Sequence, residues 1–233
     1  MAFFFEEKSF IAVIGDVKKS RELEKRKEIQ DNLKAVLDEI NAVYRDDIAS
    51  NFLITLGDEF QGLLFNGKNV LKMIQKIKMQ LYPVELRFGI GIGSISTEIN
   101  TEMALGADGP GYYNARNAVE VLKKNEKKNK AILSDIRLED DKGAVKQTVL
   151  INTVFELARA IEDGWTDRQR EIIWDMLAHQ DGQQQAADRL GIAQSSVQKS
   201  LAKGQYYTYA NALKNVENIL ECACGSDESS DML

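Results

Sequence analysis

Two acidic positions stand out in the N-terminal half of the chain. Asp16 follows the apolar run Phe10–Ile14, and Asp58-Glu59 lies between two further apolar runs. Carboxylates are hard oxygen donors, and Asp16 and Asp58 brought together suit Mg2+, which in turn binds substrate phosphates. The turn Asp16-Val17-Lys18-Lys19-Ser20-Arg21 reads as the opening of a helix, where unsatisfied amides and the dipole favour a phosphate. Lys19 and Arg21 add positive charge there. His179 is the single histidine, so a Ser-His-Asp or Cys-His mechanism, or a histidine-rich metal site, has little material to work with. Cys222 and Cys224 are a poor disulfide pair and too few ligands for structural zinc. Catalysis in such a chain rests on carboxylates, a metal ion and basic side chains.

Apolar spacing predicts the elements that hold these residues. Phe10–Ile14 reads as a buried strand, and Arg21 to about Arg45 as a helix. Phe52–Leu56 and Phe60–Phe65 form a hairpin with Gly57-Asp58-Glu59 at its tip. Asn69 to Leu81 is helical and ends before Pro83. In the strand Glu85–Ile95, Gly89, Gly91 and Gly93 fall on one face, so something packs closely over it. Tyr112 to about Lys124 is a helix, Ala131–Ser134 a last short strand, and Arg137–Lys142 a charged loop. Val145 to Ile161 is a further helix. The order gives a β-α-β-β-α-β core with an added helix and strand, an α+β, ferredoxin-like domain. In such a sheet the first strand is central and pairs with the strand after the hairpin, which draws Asp16 and Asp58 together.

A different chemistry belongs to the last third. Thr166 and Gln169 have the spacing of a capping box. Ala187, Gly191 and Val197 have the spacing of a helix-turn-helix: a small residue where helices touch, a glycine for the tight turn, a β-branched residue back into the core. The second helix then turns Gln194, Ser195, Ser196, Gln198, Lys199 and Lys203 outward, residue types that reach base edges and phosphates in the major groove. Trp165 to Ile219 carries six basic and six acidic residues, so binding there rests on local charge. Residues 1–142 are expected as the α+β domain, 143–164 as a connecting helix, 165–220 as an all-α helix-turn-helix domain and 221–233 as a disordered tail.

Leu56–Leu64 (L-G-D-E-F-Q-G-L-L) resembles the signature hairpin of the GGDEF diguanylate cyclases and of class III nucleotide cyclases. Arg87–Gly93 resembles their following strand, and Tyr113-Asn114-Ala115-Arg116 is similar to the GGDEF helix motif Tyr-x-Ala-Lys. Over most of its length the chain resembles the SatD family, through Ile14–Arg21, Gly57–Gln61, Gly89–Gly91, Gly109–Arg116 and the C-terminal helices. The resemblance implies a nucleotidyl-cyclase-like fold, a metal site at Asp16 and Asp58 with Glu59 as third ligand, and nucleotide phosphates near Lys19, Arg21 and Arg116, with Lys123 and Lys124 as further candidates. The segment Trp165–Asn218 resembles sigma-factor region four and response-regulator output domains. The chain departs from the cyclase patterns: Leu56 replaces the first glycine of GGDEF, and Ala118 stands where class III enzymes carry arginine. These departures speak against cyclisation and leave metal–nucleotide binding.

Plainer roles compete. Asp16 can cap the following helix, Asp58-Glu59 can be turn residues, Lys123 to Lys128 a solvated stretch, and Arg116 the partner of Asp108 or Glu120. The 233-residue chain is 44% hydrophobic and 28% charged, with net charge −6, which argues against a nonspecific coat for nucleic acid. No signal peptide or membrane span is read, and the chain is expected in the cytoplasm, as a homodimer. The leading expectation is a DNA-binding regulator whose N-terminal domain senses a nucleotide with Mg2+. An active metal-dependent nucleotidyl cyclase or nucleotidyltransferase and a non-catalytic interaction scaffold are the alternatives.

Overall fold

The computed structural model describes residues 9–20, 25–104, 106–129, 133–140 and 145–222. Phe3–Phe5, Arg21, Ala131, Ile132, Cys224 and the rest of the expected tail beyond Cys222 lie outside the described residues.

Runs with a two-residue period make the strands β1 (Phe10–Val17), β2 (Ile48–Leu56), β3 (Glu59–Leu64), β4 (Leu86–Gly93) and β5 (Ile136–Asp140). Apolar residues at helical spacing make α1 (Arg26–Val43), α2 (Val70–Leu81), α3 (Pro110–Asn129) and α4 (Val145–Asp163). They also make α5 (Asp167–His179), α6 (Gln183–Leu190), α7 (Gln194–Lys203) and α8 (Tyr206–Cys222). The sheet runs β2-β3-β1-β4-β5, antiparallel except for the parallel pair β4–β5. The chain is therefore α+β with a mixed five-stranded sheet, and its first four strands follow the β-α-β-β-α-β order with β1 in the centre.

Alternation sends successive residues to opposite faces. Ile11, Val13, Phe88 and Ile90 join the core with α1 and α2, and Phe10, Ala12 and Ile14 join the one that contains Ala115 and Val119 of α3. On that second face β4 presents Gly89, Gly91 and Gly93. A Cβ on Gly89 would lie 2.1 Å from the Ala115 carbonyl oxygen, and one on Gly91 2.1 Å from that of Gly111. The bare face expected from the glycine spacing thus lets the α3 backbone rest directly on the strand.

Three expectations need correction. The last strand is Ile136–Asp140, most of it within the stretch Arg137–Lys142 expected as a charged loop, and Leu133 and Ser134 are not strand. Ile136 and Leu138 are buried, and Asn152 holds the strand at its middle residue by accepting from Leu138 N at 2.8 Å and donating to its carbonyl at 2.9 Å. Helix α1 begins at Arg26, ten residues beyond Asp16, with Lys25 at its N-cap position. Asp16 therefore does not cap it, and its first amides are not at Lys19. Helix α3 runs on to Asn129, beyond its expected end near Lys124, so Lys123 to Lys128 are its last turns.

The C-terminal helices return to the sheet. Val216 and Leu220 of α8, with Ile151 and Phe155 of α4, belong to the same core as β1 and α2. A buried ionic joint completes the contact. Lys78 on α2 lies 2.7 Å from Asp135, just before β5, and 2.7 Å from Glu162 on α4. Arg159 reaches Asp135 at 3.2 Å, and Arg170 on α5 reaches Glu162 at 3.1 Å. Burial pushes the Asp135 carboxyl up, but Lys78 and Arg159 outweigh it and hold it below the usual range. A folded-state pKa below the unfolded one means stabilisation that is present above the unfolded value, about 4, and lost as pH falls through the folded value. The urea midpoint is therefore expected to stay level from neutral pH to about 5 and to fall below about 4, less steeply in Asp135→Asn. Equal slopes for the two chains would contradict this role for Asp135.

Candidate functional site

Strand register assembles the N-terminal site. Asp16 on β1 is directly opposite Glu59 on β3 and Arg87 on β4, so three charged residues form one row across the sheet. By the period-two rule the row lies on the face that α3 covers. Arg87 Nη1 donates to Asp16 Oδ2 at 2.5 Å, and its other nitrogens donate to Glu126 of α3 at 2.6 and 3.1 Å. Lys123 of α3 sits 3.3 Å from the second Asp16 oxygen. Lys18 is buried and lies 2.9 Å from Glu126. Burial raises the Glu126 pKa, and Arg87 and Lys18 reverse this, leaving it below the usual range. For Arg87, burial lowers the pKa and Glu126 and Asp16 raise it further than that.

The sequence candidates distribute unevenly around this row. Asp58 is half-buried in the hairpin turn, where its carbonyl accepts from Val17 N at 3.2 Å. Arg116 pairs with Glu59 at 3.5 Å, not with Asp108 or Glu120, and its side chain remains 58% exposed. Lys19 is exposed in a left-handed conformation (φ 51°). Arg21 lies outside the described residues. Lys123 proves to be a direct partner of Asp16. Sequence reasoning passed over Arg87, Lys18 and Glu126, although Arg87 heads the glycine strand and the expected β1–β4 pairing places it near Asp16.

As arranged, the Asp16 carboxylate is engaged by cations rather than by a further carboxylate. Both Asp16 oxygens face cations, and no group of three His, Cys, Asp or Glu side chains among the described residues is gathered for a metal. Mg2+ would compete with Arg87 and Lys123 for Asp16. The row can instead hold charge through its cations: Arg116, the most weakly held of them, and Lys19 face solvent where an anion can approach.

The C-terminal helices build a second surface. Thr166 and Gln169 make the expected capping box: Gln169 N donates to Thr166 Oγ1 at 3.3 Å, and Thr166 N to Gln169 Oε1 at 2.9 Å. Helix α6 ends on Gly191 in the left-handed region (φ 62°), and α7 follows at once. Ala187, Val197 and Leu201 are buried with Ile172 and Ile173 of α5. Trp165 Nε1 donates to the Gly204 carbonyl at 2.7 Å and closes the far end of α7. Gln194, Ser195, Ser196, Gln198, Lys199 and Lys203 are all exposed. Arg189, by contrast, is held by Asp175 at 2.7 Å and by Asp181 at 2.5 Å.

The model of the SatD family matches residues 10–220. No curated protein matches the chain. Among solved structures it is similar to the catalytic core of a rhodopsin-guanylyl cyclase with converted specificity in complex with ATPαS. That similarity has a TM-score of 0.37 and 14% identity, over 49% of this chain and 72% of that one. A second is the non-canonical dimeric guanylyl cyclase domain of the RhoGC fusion protein from the aquatic fungus Blastocladiella emersonii, with TM-score 0.37 and 13% identity over 48% and 74%. A third is a bacterial light-regulated adenylyl cyclase, with TM-score 0.41 and 12% identity over 60% and 45%. Such scores are too low to argue a shared activity. No helix among the described residues is long and apolar enough to cross a membrane.

Proposed function

This chain belongs to the SatD family, whose match spans both the sheet and the C-terminal helices, and from that premise we propose a DNA-binding regulator whose sheet domain takes a nucleotide. The observation that carries the reading is the division of α7 into two faces. Val197 and Leu201 are buried, while Gln194, Ser195, Ser196, Gln198, Lys199 and Lys203 share the exposed side behind the left-handed turn at Gly191. In a helix-turn-helix this arrangement lays the second helix in the major groove, glutamines and serines to base edges and lysines to phosphates. The net charge of −6 makes those lysines matter, since the rest of the surface repels the polyanion.

The charged row beneath α3 supports the nucleotide half of the reading. Its phosphates would meet Arg116 and Lys19, with Lys123 behind them. A nucleotide that favours one placement of α3 would be felt through Arg87 and Asp16 in the central strand.

Lys199→Ala/Lys203→Ala tests the DNA half. Each lost phosphate contact removes about 0.9 from the slope of log K against log salt, so the double variant is expected to bind genomic fragments roughly tenfold or more weakly, with a slope shallower by about 2. Fluorescence anisotropy on labelled fragments reads both quantities. Equal affinity and slope for the variant and the parent chain would sink the assignment to α7.

A further inference from the structure

A large groove among the described residues is neither the charged row nor the α7 face. It lies between α4 and α8, encloses about 830 Å³, and is lined by side chains such as Leu150, Val154, Asn211, Asn215 and Ile219. No acid or base lines it among the described residues. Of its lining, Leu150 is 66% and Tyr207 59% exposed, and Leu157, further along α4, is 61% exposed. Leu150 and Leu157 are seven residues apart and share one side of α4, the spacing of a helix–helix seam. Single exposed apolar residues are ordinary, but a continuous apolar face with a groove along it marks an interaction site.

We propose that a second copy of this chain occupies the groove, so that two α4–α8 pairs close into a four-helix seam. Three features select a copy over another partner. A chain of net charge −6 repels its own kind except where the surface is uncharged, and the side chains that line this groove carry no charge. A two-fold interface must also complement itself. Here Leu150 protrudes from the groove wall and Leu157 follows it one heptad on along α4, so each copy offers protruding leucines to the apolar groove of the other. Asn211 and Asn215 carry amides that both donate and accept, and can therefore pair with their own symmetry mates, which a charged side chain cannot. Finally, the size suffices. Helix α4 has 19 residues and α8 has 17. Two such helices side by side cover an area on the order of the roughly 800 Å² per partner found in stable interfaces.

The inference goes beyond the proposed function and does not depend on DNA binding. If both hold, α8 follows α7 directly and the seam sets the spacing of two reading helices. Sedimentation of the full chain over a concentration range of about 1 to 100 μM tests it, beside the variant Leu150→Glu/Leu157→Glu. Both side chains are mostly exposed, so the variant is expected to fold, with unchanged far-ultraviolet circular dichroism. The parent chain is expected to sediment at twice its 26.2 kDa mass at the upper concentrations, and the variant to dissociate at least roughly a hundredfold more readily. A parent chain that stays monomeric throughout overturns the proposal. So does a variant that associates as tightly as the parent, which would place the interface elsewhere. DNA binding by a chain that remains monomeric would leave the α7 reading standing and remove only the seam.

Discussion

Gly91→Ala is expected to lower the stability of the folded chain by about 3 kcal/mol or more. The added Cβ would lie 2.1 Å from the Gly111 carbonyl oxygen and 2.3 Å from the Ala115 amide nitrogen. Both are main-chain atoms of α3, so no side-chain rotation relieves the clash, and the helix must lift off β4. The consequence reaches the charged row, because the same helix carries Arg116, Lys123 and Glu126. Gly111→Ala on the facing helix is the comparison: its nearest neighbour would be the Gly93 carbonyl oxygen at 3.3 Å, a contact that a small shift accommodates. Its expected cost is about 1 kcal/mol or less. Urea midpoints of the two variants against the parent decide this. A Gly91→Ala chain as stable as the parent would mean that α3 does not lie on the strand as described.

The second large effect belongs to the joint between the sheet and the C-terminal helices. Lys78→Met is expected to cost about 3 kcal/mol, toward the lower end of what breaking a buried ion pair costs. Asp135 and Glu162 would remain buried without their shared ammonium, each left with one arginine, Arg159 or Arg170. Burial alone would lower the Lys78 pKa, but the two carboxylates reverse this and hold it above the ordinary lysine value, so the group is charged throughout the accessible range. Lys78→Arg keeps the charge and is expected to lose clearly less. The measurement is again chemical denaturation at neutral pH. Equal losses for methionine and arginine would assign the effect to packing rather than charge.

Much of the fold is legible in the residues because it rests on local periodicity. The run Phe10–Ile14, the hairpin around Gly57-Asp58 and the glycine face of β4 are patterns of period two, and each forms as the spacing implies. The capping box at Thr166 is equally local. β5 was not legible: Ile136 to Asp140 alternates over five residues within a charged run, and its pairing with β4 and its tie to Asn152 come from distant parts of the chain.

The site follows the same division. The exposed residues of α7 are read from helical spacing around Val197 and Leu201. The row Glu59–Asp16–Arg87 needs strand register, and its cations from α3 need the close approach that the glycines allow. Asp16 is conspicuous in the sequence as a carboxylate after a strand, yet the partners that decide its chemistry, Arg87 and Lys123, are far from it along the chain. The same holds for Lys78, Asp135 and Glu162, whose pairing no periodic pattern announces.

The central claim, that α7 reads DNA under the influence of a nucleotide held by the sheet domain, meets its most direct test in the affinity of the 233-residue chain for genomic fragments. The measurement is made at about 50 and 200 mM salt, with and without each nucleoside triphosphate, in the presence and absence of Mg2+. The expected result is binding that weakens as salt rises and changes severalfold with at least one nucleotide. No binding to any fragment at the lower salt, with or without nucleotide, would contradict the account.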